Sequence, residues 1–271
     1  MFNALRARFA RITDRPPQVA VIRLNGAIGG GGFGRGLTDA GLAPLIEKAF
    51  AAKRLAAVAL SINSPGGSPT QSALIAARIR RLAEEKEVPV YAFCEDVAAS
   101  GGYWLATAGD EIYADDNSII GSIGVIYAGF GFHAFLEKQG VERRVHTAGR
   151  SKSMLDPFRP EREEDIERIK RLQGVIHDNF IDQVKDRRGD RLAEGADLFT
   201  GEVWVGHEAK DVGLIDEIGH LAPTMKAKFG DKTRFRVVAP KRGLFQRLGG
   251  PGVEDIAFAL EERAMWARYG A

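Results

Sequence analysis

Val58-Ala59-Leu60-Ser61-Ile62-Asn63-Ser64-Pro65-Gly66-Gly67-Ser68 is an apolar run that stops in a glycine turn. A second stretch repeats the arrangement: Val88 to Cys94 is apolar, and Ala98-Ala99-Ser100-Gly101-Gly102-Tyr103-Trp104 follows in small residues. Short apolar runs bounded by turn residues read as buried strands. The intervening 69–86 reads as a helix closing on Glu84-Glu85-Lys86. Strands alternating with helices argue for an α/β architecture with a largely parallel sheet. Both glycine turns then fall at carboxyl ends of strands, where such sheets place their sites.

Working outward, Val19 to Leu24 is a strand, and 37–53 a helix whose apolar side is Leu37, Leu42, Leu45, Ile46 and Phe50. A short helix over 100–108, a strand at Ile112-Tyr113-Ala114 and an extended run from Ile119 to Phe130 follow. Next come a helix over 132–139, a strand over 141–147, and a long charged helix over 161–188 with a stripe of Ile166, Ile169, Leu172, Val175 and Ile176. Residues 193–221 are loop-rich. A helix over 222–230 and a strand over 234–239 precede the linker Gly249-Gly250-Pro251-Gly252 and a last helix over 253–268, whose apolar side suits docking on a partner. Three units are expected: an N-terminal segment 1–18, a body 19–240, and a linker with helix 241–271.

Bulk properties exclude several classes. The chain has 271 residues, 45% of them hydrophobic, enough for one sizeable core. A net charge of +2 gives no broad footprint for nucleic acid. The single cysteine, Cys94, precludes an internal disulfide and reads as a small buried hydrophobe. No apolar run approaches the ~20 residues of a membrane-spanning helix. Phe2, Leu5, Phe9 and Ile12 recur at helical spacing among Arg6, Arg8, Arg11 and Arg15. That segment packs on protein or, as a basic amphipathic helix, rests on an anionic membrane surface. The expected location is cytoplasmic, with peripheral contact to the inner membrane through residues 1–15.

Three groups carry candidate chemistry. Ser100 stands at a strand-to-helix turn, the setting of a nucleophilic serine, but also of a helix cap. The amides of Gly66-Gly67-Ser68 open a helix and suit an oxyanion; a plain tight turn capped by Ser68 explains them equally well. Lys152, in Gly149-Arg150-Ser151-Lys152-Ser153, reads by default as a surface lysine. A lysine acting as general base near neutral pH must titrate about 3 pH units below the usual ~10.4, usually through burial. Ser122, in Gly121-Ser122-Ile123-Gly124-Val125, is a hydroxyl able to orient such an amine. The five histidines lack metal-ligand spacing, and no metal or cofactor is expected. Gly29, Gly31 and Gly34 match a dinucleotide pattern only weakly, and Asn63 stands where an acidic ribose ligand belongs. The charge runs Glu161–Asp165 and Arg187-Arg188 read as solvated faces.

Taken in order, Ile62 to Gly67, Ala99 to Tyr103, Gly121 to Val125 and Lys152-Ser153 through Pro157-Phe158 resemble the signal peptide peptidase A family, the S49 serine peptidases. The resemblance runs from about Val19 to Leu221. It implies a ClpP/crotonase-like fold of repeated ββα units with peripheral helices. It also implies Ser100 as nucleophile, Lys152 as general base, Ser122 as the orienting hydroxyl, and an oxyanion hole from the Gly67 and Gly101 N–H groups. The expected activity is endopeptidase cleavage of small, unfolded or signal-peptide-like substrates by a Ser/Lys dyad. The length is similar to that of members with one catalytic domain, which implies a ring-like homo-oligomer with Lys152 reaching Ser100 of an adjacent subunit. Two features depart from the family pattern: no transmembrane helix precedes the domain, and Arg150-Ser151 replaces a more usual aromatic residue. A crotonase-type acyl-CoA enzyme and a non-catalytic assembly protein of the same fold are the alternatives.

Overall fold

The computed structural model describes residues 16–29, 36–149, 151–239 and 253–270. The expected helix near the N-terminus, Gly31, Gly34, Arg150 and the Gly249–Gly252 linker lie outside them. Strands β1 (Gln18–Asn25), β2 (Leu55–Ser64) and β3 (Val90–Ala99) alternate with helices α1 (Asp39–Phe50), α2 (Pro69–Lys86) and α3 (Gly101–Ala106). Then come β4 (Glu111–Ala114), β5 (Ile119–Gly121), α4 (His133–Lys138), α5 (Glu163–Arg188), β6 (Val203–Val205), α6 (His207–Asp211), β7 (Glu217–Ile218), α7 (Leu221–Phe229), β8 (Arg234–Val238) and α8 (Val253–Ala267).

One sheet runs in the order β6-β5-β3-β2-β1-β8, with β4 joined to β3 and β7 to β4. Every pairing is parallel except β5 with β6. Parallel strands are covered on both faces, which is why β1 to β3 read as near-continuous apolar runs. On one face Ile22, Leu24, Leu60 and Ile62 pack with Ile46 of α1 and Ile75 and Ile79 of α2. On the other, Val19, Val21, Ala57, Ala59 and Phe93 form a smaller cluster closed by Met225 of α7. Helix starts follow capping chemistry: Thr38 accepts from Gly41 N–H, and Ser68 from Gln71 N–H with Pro69 in the first turn. Cys94 is buried, and burial pushes its thiol up to about 12, so it behaves as the small hydrophobe expected.

Three expectations need correction. Residues 141–147 form no strand: none of the described residues pairs with them, and the free edge of β5 is taken by β6. Of the extended run from Ile119, Ile119–Gly121 pair as β5. The stripe assigned to α5 is not what docks it; Leu172 and Val175 are exposed, and the helix is held by Phe180, Val184 and Arg188 in its second half. Two members of the charge runs are buried rather than solvated. Asp165 is 3% exposed, and Arg188 is 2% exposed.

Arg188 donates to the Gly213 carbonyl at 2.9 Å and to Asp216 at 2.8 Å, and Asp216 also accepts from Ile112 N–H at 2.6 Å. This ties the end of α5, the 213–216 turn and β4 together. Burial alone would raise the Asp216 carboxyl, but the Arg188 hydrogen bond and charge, the Ile112 N–H and Arg191 hold it below its ordinary value. A carboxyl depressed on folding contributes stability above the unfolded pKa of ~3.9 that is lost as pH falls through the native value. Asp216→Ala leaves Arg188 buried without its counter-charge and is expected to cost about 3 kcal/mol in denaturant unfolding at pH 7. The deficit relative to wild type should shrink below about pH 4. An unchanged midpoint at pH 7 would remove this pair from the account of stability.

Candidate active site

Ser100 ends β3 with φ 52° and ψ −122°, a conformation rare outside glycine. Such strain costs on the order of 1–3 kcal/mol and persists only where surrounding structure fixes it. Here Ser100 N–H donates to the Gly121 carbonyl at 2.8 Å, and its own carbonyl accepts from Trp104 N–H at 3.0 Å. Its side chain makes no capping bond to α3. The cap reading of Ser100 therefore fails, whereas the cap reading of Ser68 holds.

The 64–67 turn lies directly on this elbow. A Cβ on Gly66 (φ 100°) would come within 2.8 Å of the Ser100 Cβ and 2.9 Å of the Ala99 carbonyl. Gly67, at φ 140°, would drive a Cβ to 2.0 Å from the Ile28 carbonyl. Ile28 N–H donates to Gly66, and the Ile28 carbonyl accepts from Ser68 N–H, at 2.8 and 2.7 Å. Those bonds engage the neighbours of Gly67 and turn its own N–H the other way, toward Gly101, whose Cβ position is 3.4 Å from the Gly67 nitrogen. Gly101 opens α3, so its N–H is one of the helix's unsatisfied donors. Among the described residues neither amide nor the Ser100 hydroxyl has a partner, and two such amides beside a hydroxyl are able to hold the oxyanion that forms when it attacks a carbonyl.

The recess above Ser100 encloses about 10 Å³, room for about one water. Gly67, Ser100 and Gly101 form its floor, and Trp104, Ile176 and Phe180 wall it. Among the described residues no acid, base or imidazole lines it. Lys152 is exposed on the excursion between β5 and α5, away from these lining residues. Ser122 (φ 51°) borders a different recess, where it accepts a hydrogen bond from Tyr269 at 3.3 Å. The structure thus brings Ser100, Gly67 and Gly101 together; Lys152 does not line their recess, and Ser122, next to the Gly121 that accepts from Ser100 N–H, borders a different one.

The Lys152 loop is nevertheless well held. Leu155 N–H donates to Asp165, which also takes hydrogen bonds from Arg162 and Arg168. Asp156 accepts from Phe158 N–H and Arg143, and the Pro157 carbonyl accepts from Phe132 N–H at 2.6 Å. Sequence reading missed these anchors, and it missed Ile176 and Phe180 as walls of the recess. The signal lay in Phe180, Val184 and Arg188, spaced by four along α5. α8 reaches back over the strand ends, where Glu262 accepts from Ala27 N–H at 2.9 Å, so it docks on its own chain.

A family model described as Peptidase family S49 matches residues 82–229. The chain is 50% identical to a protein of Brucella melitensis biotype 1 named Na(+)/H(+) antiporter NhaA, over 93% of this chain and 37% of that one. It is 33% identical to the Putative signal peptide peptidase SppA of Enterococcus faecium, over 62% of this chain and 48% of the relative. The chain therefore spans under half the length of either relative. Among solved structures it is similar to a mutant of the 1510-N membrane-bound stomatin-specific protease in complex with a substrate peptide. That likeness has a TM-score of 0.54 at 14% identity, over 90% of this chain and 99% of the other, and it carries the fold, which is ClpP/crotonase-like.

Gly67→Ala must shift the loop amide to relieve its contact with Ile28. Phosphonylation of Ser100 by a fluorophosphonate is expected to slow by about 100-fold, the scale of losing one oxyanion donor. Undiminished labelling would show that the Gly67 N–H does not face the reacting oxygen.

Proposed function

The chain belongs to peptidase family S49, a family of serine peptidases, and from that premise we propose that it is an endopeptidase with a Ser100/Lys152 dyad acting on small, unfolded or signal-peptide-like substrates. The observation that carries the reading is the pair of free Gly67 and Gly101 amides beside the unbonded Ser100 hydroxyl.

In this reading the Ser100 Oγ attacks the scissile carbonyl carbon, and its proton passes to the neutral Lys152 amine. The oxyanion rests on the Gly67 and Gly101 N–H groups, each worth ~3 kcal/mol. The C–N bond breaks as lysinium returns the proton to the leaving amine. Water, deprotonated by the same lysine, then hydrolyses the acyl-enzyme. Ser122 orients the amine: one lone pair of its oxygen takes the Tyr269 O–H, and the other is free to accept an N–H of the lysine, which leaves the amine lone pair for the Ser100 proton.

The base comes from a second copy of the chain in a ring-like homo-oligomer. Support lies in the excursion that carries Lys152, where Ile126, Tyr127, Phe130, Phe135 and Val141 are all exposed, Phe130 by 80%. So many large apolar side chains exposed in one excursion call for a covering partner. Leu172 and Val175 on the first half of α5 are exposed as well.

The antiporter name belongs to a longer relative and is not read onto this chain. Among the described residues no helix is long and apolar enough to cross a membrane. Residues 1–15 are proposed to rest on the inner membrane from the cytoplasmic side. Phe9→Asp should weaken co-sedimentation with anionic vesicles, and equal sedimentation of wild type and variant would remove that contact.

Wild type is expected to cleave unfolded casein, with Ser100→Ala and Lys152→Ala each reduced by about 1,000-fold or more while still folded and assembled. Persistent cleavage by folded Ser100→Ala would mean a different nucleophile. Mixing the two inactive variants under subunit exchange should restore activity, because some interfaces then pair an intact Ser100 with an intact Lys152. No recovery in verified mixed oligomers would count against the shared site.

A further inference from the structure

Positive charge gathers where the central strands begin. Gln18, the first residue of β1, lies beside Leu55 of β2 on one side and Arg234 of β8 on the other. Lys53 and Arg54 directly precede Leu55, so the register places three cations at the starts of adjacent strands. With neighbouring strands ~4.8 Å apart, the starts of β2 and β8 are about 10 Å from each other, a gap that long basic side chains can close around one anion. Together with Pro16 and Gln18, these three side chains line a cavity of about 610 Å³. All three are exposed. Among the described residues no carboxylate lines the cavity, and Asp231, in the turn before β8, lies outside the lining. Other arginines are neutralised: Arg78 meets Asp39 at 2.6 Å, and Arg80 meets Asp110 at 2.8 Å. Lys53, Arg54 and Arg234 have no such partner among the described residues. Like charges around one space repel one another until an anion joins them.

Pro16 lines the cavity, so the first fifteen residues attach at its rim. They bring Arg6, Arg8, Arg11 and Arg15 against a single acid, Asp14. Exposed cations around a wide opening, continuous with a basic amphipathic segment, suit a plane of diffuse negative charge, where each contributes without fixed geometry. We propose that Lys53, Arg54 and Arg234 form a headgroup site for the phosphodiester of an anionic phospholipid, so that the folded body joins residues 1–15 in one membrane contact. The proposal rests on the membrane reading of those residues for its choice of a lipid as the source of the phosphate.

The test is co-sedimentation of the full chain with vesicles of equimolar phosphatidylglycerol and phosphatidylcholine, against vesicles of phosphatidylcholine alone. Wild type is expected to bind the first and not the second. Each basic side chain at an anionic surface changes partition by roughly fivefold, so a folded Lys53→Gln/Arg234→Gln variant should bind about 25-fold more weakly. Lys170→Gln/Arg171→Gln removes the same charge from exposed positions on α5 and should bind as wild type does. Equal loss in both variants would mean that net charge alone is read, and the site falls. It falls too if the Lys53/Arg234 variant binds as tightly as wild type. Phe9→Asp separates the two membrane claims: loss there, with none in the Lys53/Arg234 variant, leaves the terminus as sole anchor and removes the headgroup site. The converse keeps the site and removes the terminus. Calorimetry with inorganic phosphate distinguishes the source. Saturable phosphate binding that the Lys53/Arg234 variant lacks, with no vesicle binding by wild type, would replace the lipid by a free anion and overturn the proposal.

Discussion

The buried Arg188 guanidinium is the constraint on which the working end of the molecule depends. A fully buried charge is tolerable only where it is paired and hydrogen-bonded. Here Asp216 and the Gly213 carbonyl pair two of the three guanidinium nitrogens and in doing so fix the C-terminal half of α5 against β4 and the turn before β7. α5 then performs two tasks along one rigid rod. Ile176 and Phe180 wall the Ser100 recess, and Asp165, three turns earlier, clamps the loop that bears Lys152. A single polar anchor thereby sets the position of both a wall of the Ser100 recess and the loop of Lys152, which are far apart in sequence.

Around Ser100 the controlling quantity is distance rather than charge. Two loops from neighbouring strands meet so closely that Gly66 and Gly102 leave no space for a Cβ, the latter falling 2.4 Å from the Ser64 carbonyl. Close backbone approach is what lets amides from separate loops converge on one point. The strain at Ser100 is the local cost of aiming its hydroxyl there, offset by the bond to the Gly121 carbonyl and by a core packed beneath it.

Much of this was legible in the sequence, for identifiable reasons. The strands β1 to β3 announced themselves because burial on both faces removes polar residues from the whole run, and the glycine turns because few other residues can occupy them. What stayed hidden was tertiary. Arg188 and Asp165 look like members of wet charge runs, because nothing local tells an ion paired with a residue 28 positions away from one facing solvent. The 141–147 segment has the composition of a strand but finds no edge to pair with. Ser100 and Gly67 were readable as a pair since each lies at a strand end, and strand ends converge by topology. Lys152 has no such guarantee, for it lies on an exposed excursion outside the sheet.

The direction of β1 has a consequence for orientation. Pro16 and Pro17 lead into the sheet at the amino end of that strand, where the Pro17 carbonyl accepts from Arg234 N–H, and Ser100 lies at the carboxyl ends. Eight residues at ~3.3 Å each set these two levels about 26 Å apart. A surface in contact with Pro16 and Pro17 would therefore touch the face opposite the serine, as a hand grips the handle of a tool, and leave the carboxyl ends of the strands pointing away from it.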